Sequence, residues 1–225
     1  MAPTLRIALL VWASLVAQAI LAVSGMAQSA VLGWGPRVFD SRWSDEVFVE
    51  ISASTYHSVA RRSDGSVVAW GGNGWSMCNV LALPPGLSYV EVSAGGDHTV
   101  ARRSDGSVVV WGRDTFGLPN VPVLPPGLTY VEVAGGAAHS LARRSDGTVV
   151  AWGFNGFGQC NVPALPPGLA YTEIAAGGFH SAALRSDGSV VAWGDNGSGQ
   201  CNVPALPPGL SYVTVAGGEI GRAHV

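Results

Sequence analysis

A Trp-Gly pair recurs at Trp70, Trp111, Trp152 and Trp193, each 41 residues after the last. His57, His98, His139 and His180 keep the same step. So do Ser-Asp-Gly from Ser63, Ser104, Ser145 and Ser186, and Pro-Pro-Gly from Pro84, Pro125, Pro166 and Pro207. A fixed period of this length means copies of one small unit, each of which buries its apolar face only against its neighbours. Trp34-Gly35 begins the series, so four units lie between successive pairs and most of a fifth accompanies them.

Each unit reads as strands and tight turns. In Tyr89-Val90-Glu91-Val92 the alternation predicts that Val90 and Val92 share one face and Glu91 takes the other. Gly95-Gly96 ends that strand. His98 to Arg103 forms the next, closed by Asp105-Gly106, a tight-hairpin signal whose two turn positions favour positive φ. Val108-Val109-Val110-Trp111 is a continuous apolar run, as in a strand buried on both faces. Asn120-Val121-Pro122 is placed as a short fourth edge strand, where Pro is tolerated because it lacks the ladder donor. The unit length suits a four-stranded propeller blade, whereas β-solenoid coils are usually shorter and lack tight hairpins. The chain is thus expected to be all-β, a β-propeller with about five blades present over residues 31–218.

The ends differ from the repeat. Arg6 precedes an uncharged apolar run from Ile7 to Val23, followed by small residues near Ala27-Gln28-Ser29. That layout predicts a secretory signal over 1–30 and a secreted or cell-surface location; a retained membrane anchor is the alternative. After Gly217-Gly218 the pattern calls for x-His-Ser, but the chain reads Glu219-Ile220-Gly221-Arg222-Ala223-His224-Val225. A common sequencing adapter encodes that string, so 219–225 is expected to be a non-native tail on a protein that continues into further blades.

Three cysteines remain, Cys78, Cys160 and Cys201, separated by whole periods. Equivalent positions in successive blades lie too far apart for a disulfide, and the spacing is unlike that of metal ligands. They are expected to be small buried hydrophobes. No metal or cofactor is expected. The net charge of −3 argues against a nucleic-acid footprint, which needs a concentrated basic face.

The stretches Gly177 to Ser181, Arg185 to Gly194 and Asn196 to Gln200 resemble the repeat of the regulator of chromosome condensation (RCC1-like) family. The Gly-Gln-Cys-Asn-Val-Pro and Leu-Pro-Pro-Gly-Leu stretches are similar to its bacterial, exported branch. The resemblance implies a seven-bladed ring, of which this chain supplies part, working mainly as a protein-binding platform. It does not carry the nucleotide-exchange activity of the eukaryotic founder, since function resides in particular loops.

The periodic histidines suggest a repeated structural hydrogen bond, to a neighbouring blade's backbone, rather than a catalytic or metal site. The repeated Trp residues suit blade packing. Arg61-Arg62, Arg102-Arg103 and Arg143-Arg144 suggest solvated hairpin ends neutralised by Asp64, Asp105 and Asp146. A functional signal lies where the repeats disagree. Four residues past the Gly of Trp-Gly stand Trp75, Phe116, Phe157 and Ser198; the first loop position holds Gly72, Arg113, Phe154 and Asp195. Aromatics on loops of a rigid scaffold are good interface anchors, so Trp75, Phe116, Phe154 and Phe157 are the candidate partner-binding residues. The competing reading is that these rings plug gaps between blades. An unidentified protein is the expected partner, with a surface glycan as the alternative, and no membrane contact is expected beyond the signal segment. A propeller hydrolase or lyase would need acids, His or Tyr clustered outside the repeat, and a purely structural role in a larger surface protein is the third reading.

Overall fold

The computed structural model describes residues 47–218, together with the backbone of two short strands, β1 (Ala19–Leu21) and β2 (Ala30–Leu32), which pair antiparallel. Apart from those strands, the expected signal segment lies outside the described residues, as do Trp34-Gly35 and the tail 219–225.

Four three-stranded antiparallel sheets follow, each a meander. The first is β3 (Phe48–Ala53), β4 (His57–Arg62) and β5 (Val67–Gly71); the second is β6 (Tyr89–Ala94), β7 (His98–Arg103) and β8 (Val108–Gly112). The third is β9 (Tyr130–Gly135), β10 (His139–Arg144) and β11 (Val149–Gly153). The fourth is β12 (Tyr171–Ala176), β13 (His180–Arg185) and β14 (Val190–Gly194). The first strand of each blade packs on the first and middle strands of the blade before it. The cores therefore straddle blades: Val59 of the first joins Tyr89, Val92 and Trp111 of the second, and Leu141 of the third joins Tyr171, Ile174 and Trp193 of the fourth. Beyond β14, Tyr212 and Val215 pack on Leu184 and Ala175, and the Tyr212 N–H donates to Gly188 O at 2.9 Å, as the Tyr89 N–H does to Gly65 O at 3.0 Å. Residues 211–218 thus occupy the first-strand place of a fifth blade.

Three local expectations are corrected. The blades have three strands, not four. In Asn120-Val121-Pro122 the N–H groups of Asn120 and Val121 are already used in local turns, to Gly117 O and Pro119 O, so that segment cannot join a ladder. The hairpin between middle and last strands places only glycine at positive φ. Gly65, Gly106, Gly147 and Gly188 have φ of 78–81°, while each preceding Asp does not enter that region. Gly106 N–H donates to Arg103 O and Arg103 N–H to Ser107 O, the pattern of a three-residue loop with glycine at its left-handed position. The Asp105 carboxylate instead accepts the Ser107 N–H at 2.9 Å. Finally, a bulge between Tyr89 and Glu91 breaks the alternation in β6, so Tyr89 and Val92 form the buried pair and Val90 does not.

The apolar last strand behaves as expected, with Val108, Val110 and Trp111 buried. Trp111, Trp152 and Trp193 are likewise buried in the inter-blade cores.

Candidate partner-binding face

Rigidity of the loops comes from a relay between blades. His57 Nε2 lies 2.7 Å from the Thr99 hydroxyl, and Thr99 donates its proton to Met77 O at 3.1 Å. His57 Nε2 must therefore carry the proton and donate. The pattern recurs from His98 to Ser140 at 2.8 Å and from His139 to Ser181 at 3.0 Å, where Ser181 passes its proton to Gln159 O. The expected histidine bond thus exists, but its acceptor is a neighbouring hydroxyl rather than backbone. Burial holds His57 and His139 at about 4 and His98 at about 3, far below the ordinary imidazole value; Asp97 partly offsets this at His57.

Met77, Leu118 and Gln159 occupy one position of the loop after each Trp-Gly. Their carbonyls also accept the indole N–H of Trp111, Trp152 and Trp193 at 2.8 Å, from one blade further on. Inside the first, third and fourth of these loops an asparagine ties the turn. Asn155 Oδ1 accepts the Cys160 N–H at 2.8 Å, while its amide donates to Asn161. The cysteines are half-buried rather than buried, and each S–H reaches back to a loop carbonyl, Cys160 to Phe154 O at 3.3 Å. Burial pushes the Cys160 thiol up to about 11.

Alongside the hairpin Ser or Thr hydrogen bonds, Arg62, Arg103 and Arg144 help hold the carboxyls of Asp64, Asp105 and Asp146 below their ordinary values, as expected, but the first arginine of each pair does not rely on them. Arg61, Arg102 and Arg143 pair with Glu50, Glu91 and Glu132 across the first two strands at 2.6–2.8 Å. The bulge brings the glutamates into that register. Each glutamate also accepts a backbone N–H from the next blade's first strand, as Glu91 does from Val133 at 3.2 Å. The clamp caps an otherwise unpaired strand edge.

On this frame the variable positions meet on one face. The N–H of the first loop residue donates to the carbonyl of the residue before each histidine: Gly72 to Tyr56, Arg113 to Asp97, Phe154 to Ala138 and Asp195 to Phe179, at 2.6–2.9 Å. The backbone thereby sets two variable side chains beside each other in every blade. In the second blade they form an ion pair, Arg113 to Asp97 at 2.7 Å. Arg113 also lies 4.8 Å from the Trp75 ring centroid and 5.8 Å from that of Phe116. Phe116 meets Phe154 at 5.0 Å, Phe154 meets Phe157 and Phe179 at 6.0 and 5.9 Å, and Phe157 meets Phe179 at 5.3 Å, all tilted or edge-to-face. A continuous band, Trp75–Arg113–Phe116–Phe154–Phe157–Phe179, crosses from blade to blade.

Trp75, Phe116 and Phe157 remain 51–52% exposed and Phe179 40%, whereas Phe154 is half-buried beneath the others. Phe116 has φ of 58°, left-handed backbone that costs a bulky residue about 1–2 kcal/mol. The four candidate anchors are thus brought together. Phe179 is not among them, although its position, Tyr56, Asp97, Ala138 and Phe179 in successive repeats, carries the same signal of disagreement.

Repeated sheets docked side by side, with the same bonds between each neighbouring pair, define a β-propeller built from one sequence repeat. The chain belongs to the family of the Regulator of chromosome condensation (RCC1) repeat, whose model matches residues 48–74, 89–118, 130–159 and 171–200, more than half of the chain. No curated protein matches it. Solved structures share the fold. Prp20p from Saccharomyces cerevisiae, described with its binding to Gsp1p and histones, is 22% identical with a TM-score of 0.66 over 80% of this chain and 55% of its own. The CRINKLY WD40 ectodomain of an Arabidopsis thaliana receptor kinase is 20% identical, with a TM-score of 0.68 over 92% of this chain and 73% of its own. The entire ectodomain of a Physcomitrella patens receptor kinase is 19% identical, with a TM-score of 0.65 over 92% and 56%. The chain therefore spans little more than half the length of Prp20p.

Proposed function

We propose that this chain is an exported propeller segment that works as a protein-binding scaffold through its loop face. The aromatic band carries the reading: apolar rings stand half-exposed on a hydrogen-bonded frame, at positions where the frame itself demands no particular residue. Such rings cost solvation when left bare and return it when a partner covers them, which is how interface anchors work. Prp20p, of the same fold, is described with protein ligands, which agrees with a binding role for this chain. The apolar run from Ile7 to Val23 supports export.

Substitutions drawn from sister repeats test the reading without disturbing the frame. Trp75→Ser and Phe157→Ser copy the residue that Ser198 already supplies at the same loop position. A partner captured by the wild-type chain should be lost by the double variant while both melt at the same temperature. Equal capture by the two would refute this face as the binding surface.

A further inference from the structure

Buried polar atoms without a hydrogen-bond partner fall into two groups. Among the described residues, the Nδ1 atoms of His98 and His139 and the Nε atoms of Arg103, Arg144 and Arg185 repeat with the blades and belong to the fold, and His180 Nε2 is the atom that in His57, His98 and His139 reaches the next blade. Three others among the described residues have no counterpart in the sister blades: Arg113 Nε, Thr115 Oγ1 and Gln159 Nε2. All three lie in the loops that carry the aromatic band.

Gln159 is the most informative. It is fully buried, and its Oε1 accepts the Phe157 N–H at 3.0 Å, which fixes the amide orientation and leaves Nε2 as the free donor. In the next blade Gln200 makes the same bond to the Ser198 N–H, and its Nε2 donates to Asp195 at 2.7 Å. The residue in the place of Asp195 is Phe154. Gln159 Nε2 is therefore aimed at the floor of the phenylalanine cluster, where its sister repeat keeps an acceptor and this one keeps a ring. Gly156 leaves room for that ring, since a Cβ there would run into Phe154.

The reserve is mainly one of donors: a guanidinium N–H and an amide NH2, with a hydroxyl that can donate or accept. Asp97, the carboxylate beside them, is already held by Arg113. A ligand that complements this face offers apolar rings or methylenes and acceptor oxygens, and brings few donors of its own. A sugar brings many hydroxyl donors of its own, which this face has few acceptors to satisfy. A proline-rich segment brings main-chain carbonyls and no N–H at each proline.

Building on the reading of the band as a protein-binding surface, we propose that it is a cradle for a proline-rich segment in the polyproline II conformation. Pyrrolidine rings lie over Trp75, Phe116 and Phe157, and main-chain carbonyls accept from Arg113, Thr115 and Gln159 as Phe154 turns aside. The segment arrives already extended, so little chain entropy opposes docking.

Trp75 is half-exposed, so its fluorescence can report binding of a decaproline peptide. An alanine-rich peptide of equal length, a leucine- and phenylalanine-containing peptide without proline, and cellohexaose serve as comparisons. Gln159→Leu removes the donor, together with the Oε1 that accepts the Phe157 N–H, and copies Leu118 of the second blade, while Phe157→Ser removes a ring and copies Ser198 of the fourth. Saturable decaproline binding, weakened about tenfold in each variant at unchanged melting temperature, is the expected result. Decaproline binding that is equal in wild type and Gln159→Leu overturns the cradle. So does a preference for the non-proline peptide or for cellohexaose. If the non-proline peptide binds and Phe157→Ser abolishes it, the cradle fails while the protein-binding reading stands. If no peptide binds and partner capture ignores the band, both fail.

Discussion

His98 Nε2 lies 2.8 Å from the Ser140 hydroxyl, 42 residues along the chain and one blade away. His57 with Thr99 and His139 with Ser181 repeat the relationship, so the same neutral imidazole stitches each blade to the next. Four consequences can be measured.

Acid should unlock the stack. Burial lowers the folded-state values of His57 and His139 to about 4 and of His98 to about 3, against 6.5 in an exposed imidazole. The unfolded chain therefore takes up these protons first, and stability, fully present above 6.5, declines as pH falls towards those values. Within that window each histidine contributes a slope of about 1.4 kcal/mol per pH unit. The hairpin aspartates, held low by their Ser or Thr partners, add their own loss only below the ordinary carboxylate range. Thermal melts should show a level Tm at neutral and mildly alkaline pH and a steep fall from about pH 6.5 to 4. A Tm indifferent to pH across that range would contradict the neutral buried relay.

Thr99→Val keeps the shape but removes a hydroxyl that both accepts from His57 and donates to Met77 O. The His57 Nε2–H loses its acceptor while Met77 O keeps the Trp111 indole N–H, for an expected cost of about 1–3 kcal/mol. Denaturant unfolding of the variant checks this. A value within about 0.5 kcal/mol of wild type would mean the hydroxyl is not a bridge.

Trp152 fills a core shared by two blades and donates its indole N–H to Leu118 O at 2.8 Å. Trp152→Ala should cost about 3–5 kcal/mol through the cavity it leaves. Trp152→Phe retains most of the ring area and should cost markedly less. Equal destabilisation by both, measured by calorimetry, would shift the weight from packing to the hydrogen bond.

Two glycine-to-alanine changes should differ for separate reasons. At Gly136 an added Cβ would run into the His139 ring, which is itself fully buried and cannot move aside. Gly136→Ala should therefore cost at least about 3 kcal/mol. At Gly168 nothing lies within 4 Å, but φ is +83°, so Gly168→Ala should cost only about 1 kcal/mol in backbone strain. Comparable Tm values for the two variants would remove the close approach over the histidine.

The repeat made the blades legible because strand, turn and apolar run each have a local cause. His98–Arg103 and Val108–Gly112 fall where the pattern puts them. The turn was misread at Asp105, since a short carboxylate that caps the next N–H does not need positive φ; Gly106 takes that conformation alone. The fourth strand failed because local turns had already used the N–H groups of Asn120 and Val121. In the candidate site, disagreement between repeats pointed to Trp75, Phe116, Phe154 and Phe157. The same test applied to the residue before each histidine would have found Phe179.

What the sequence determined by itself was the unit: its period, its strands, its glycine turns and the places where copies differ. These follow from backbone preferences and from apolar spacing within a few residues. Partnership between units was decided only in three dimensions. That Arg102 takes Glu91 rather than Asp105, that His98 takes Ser140, and that Phe154 meets Phe116 and Phe179 depend on how one sheet is set against the next. Side chains 42 residues apart become neighbours through packing, and no local rule in the chain specifies which of several equivalent atoms the packing will present.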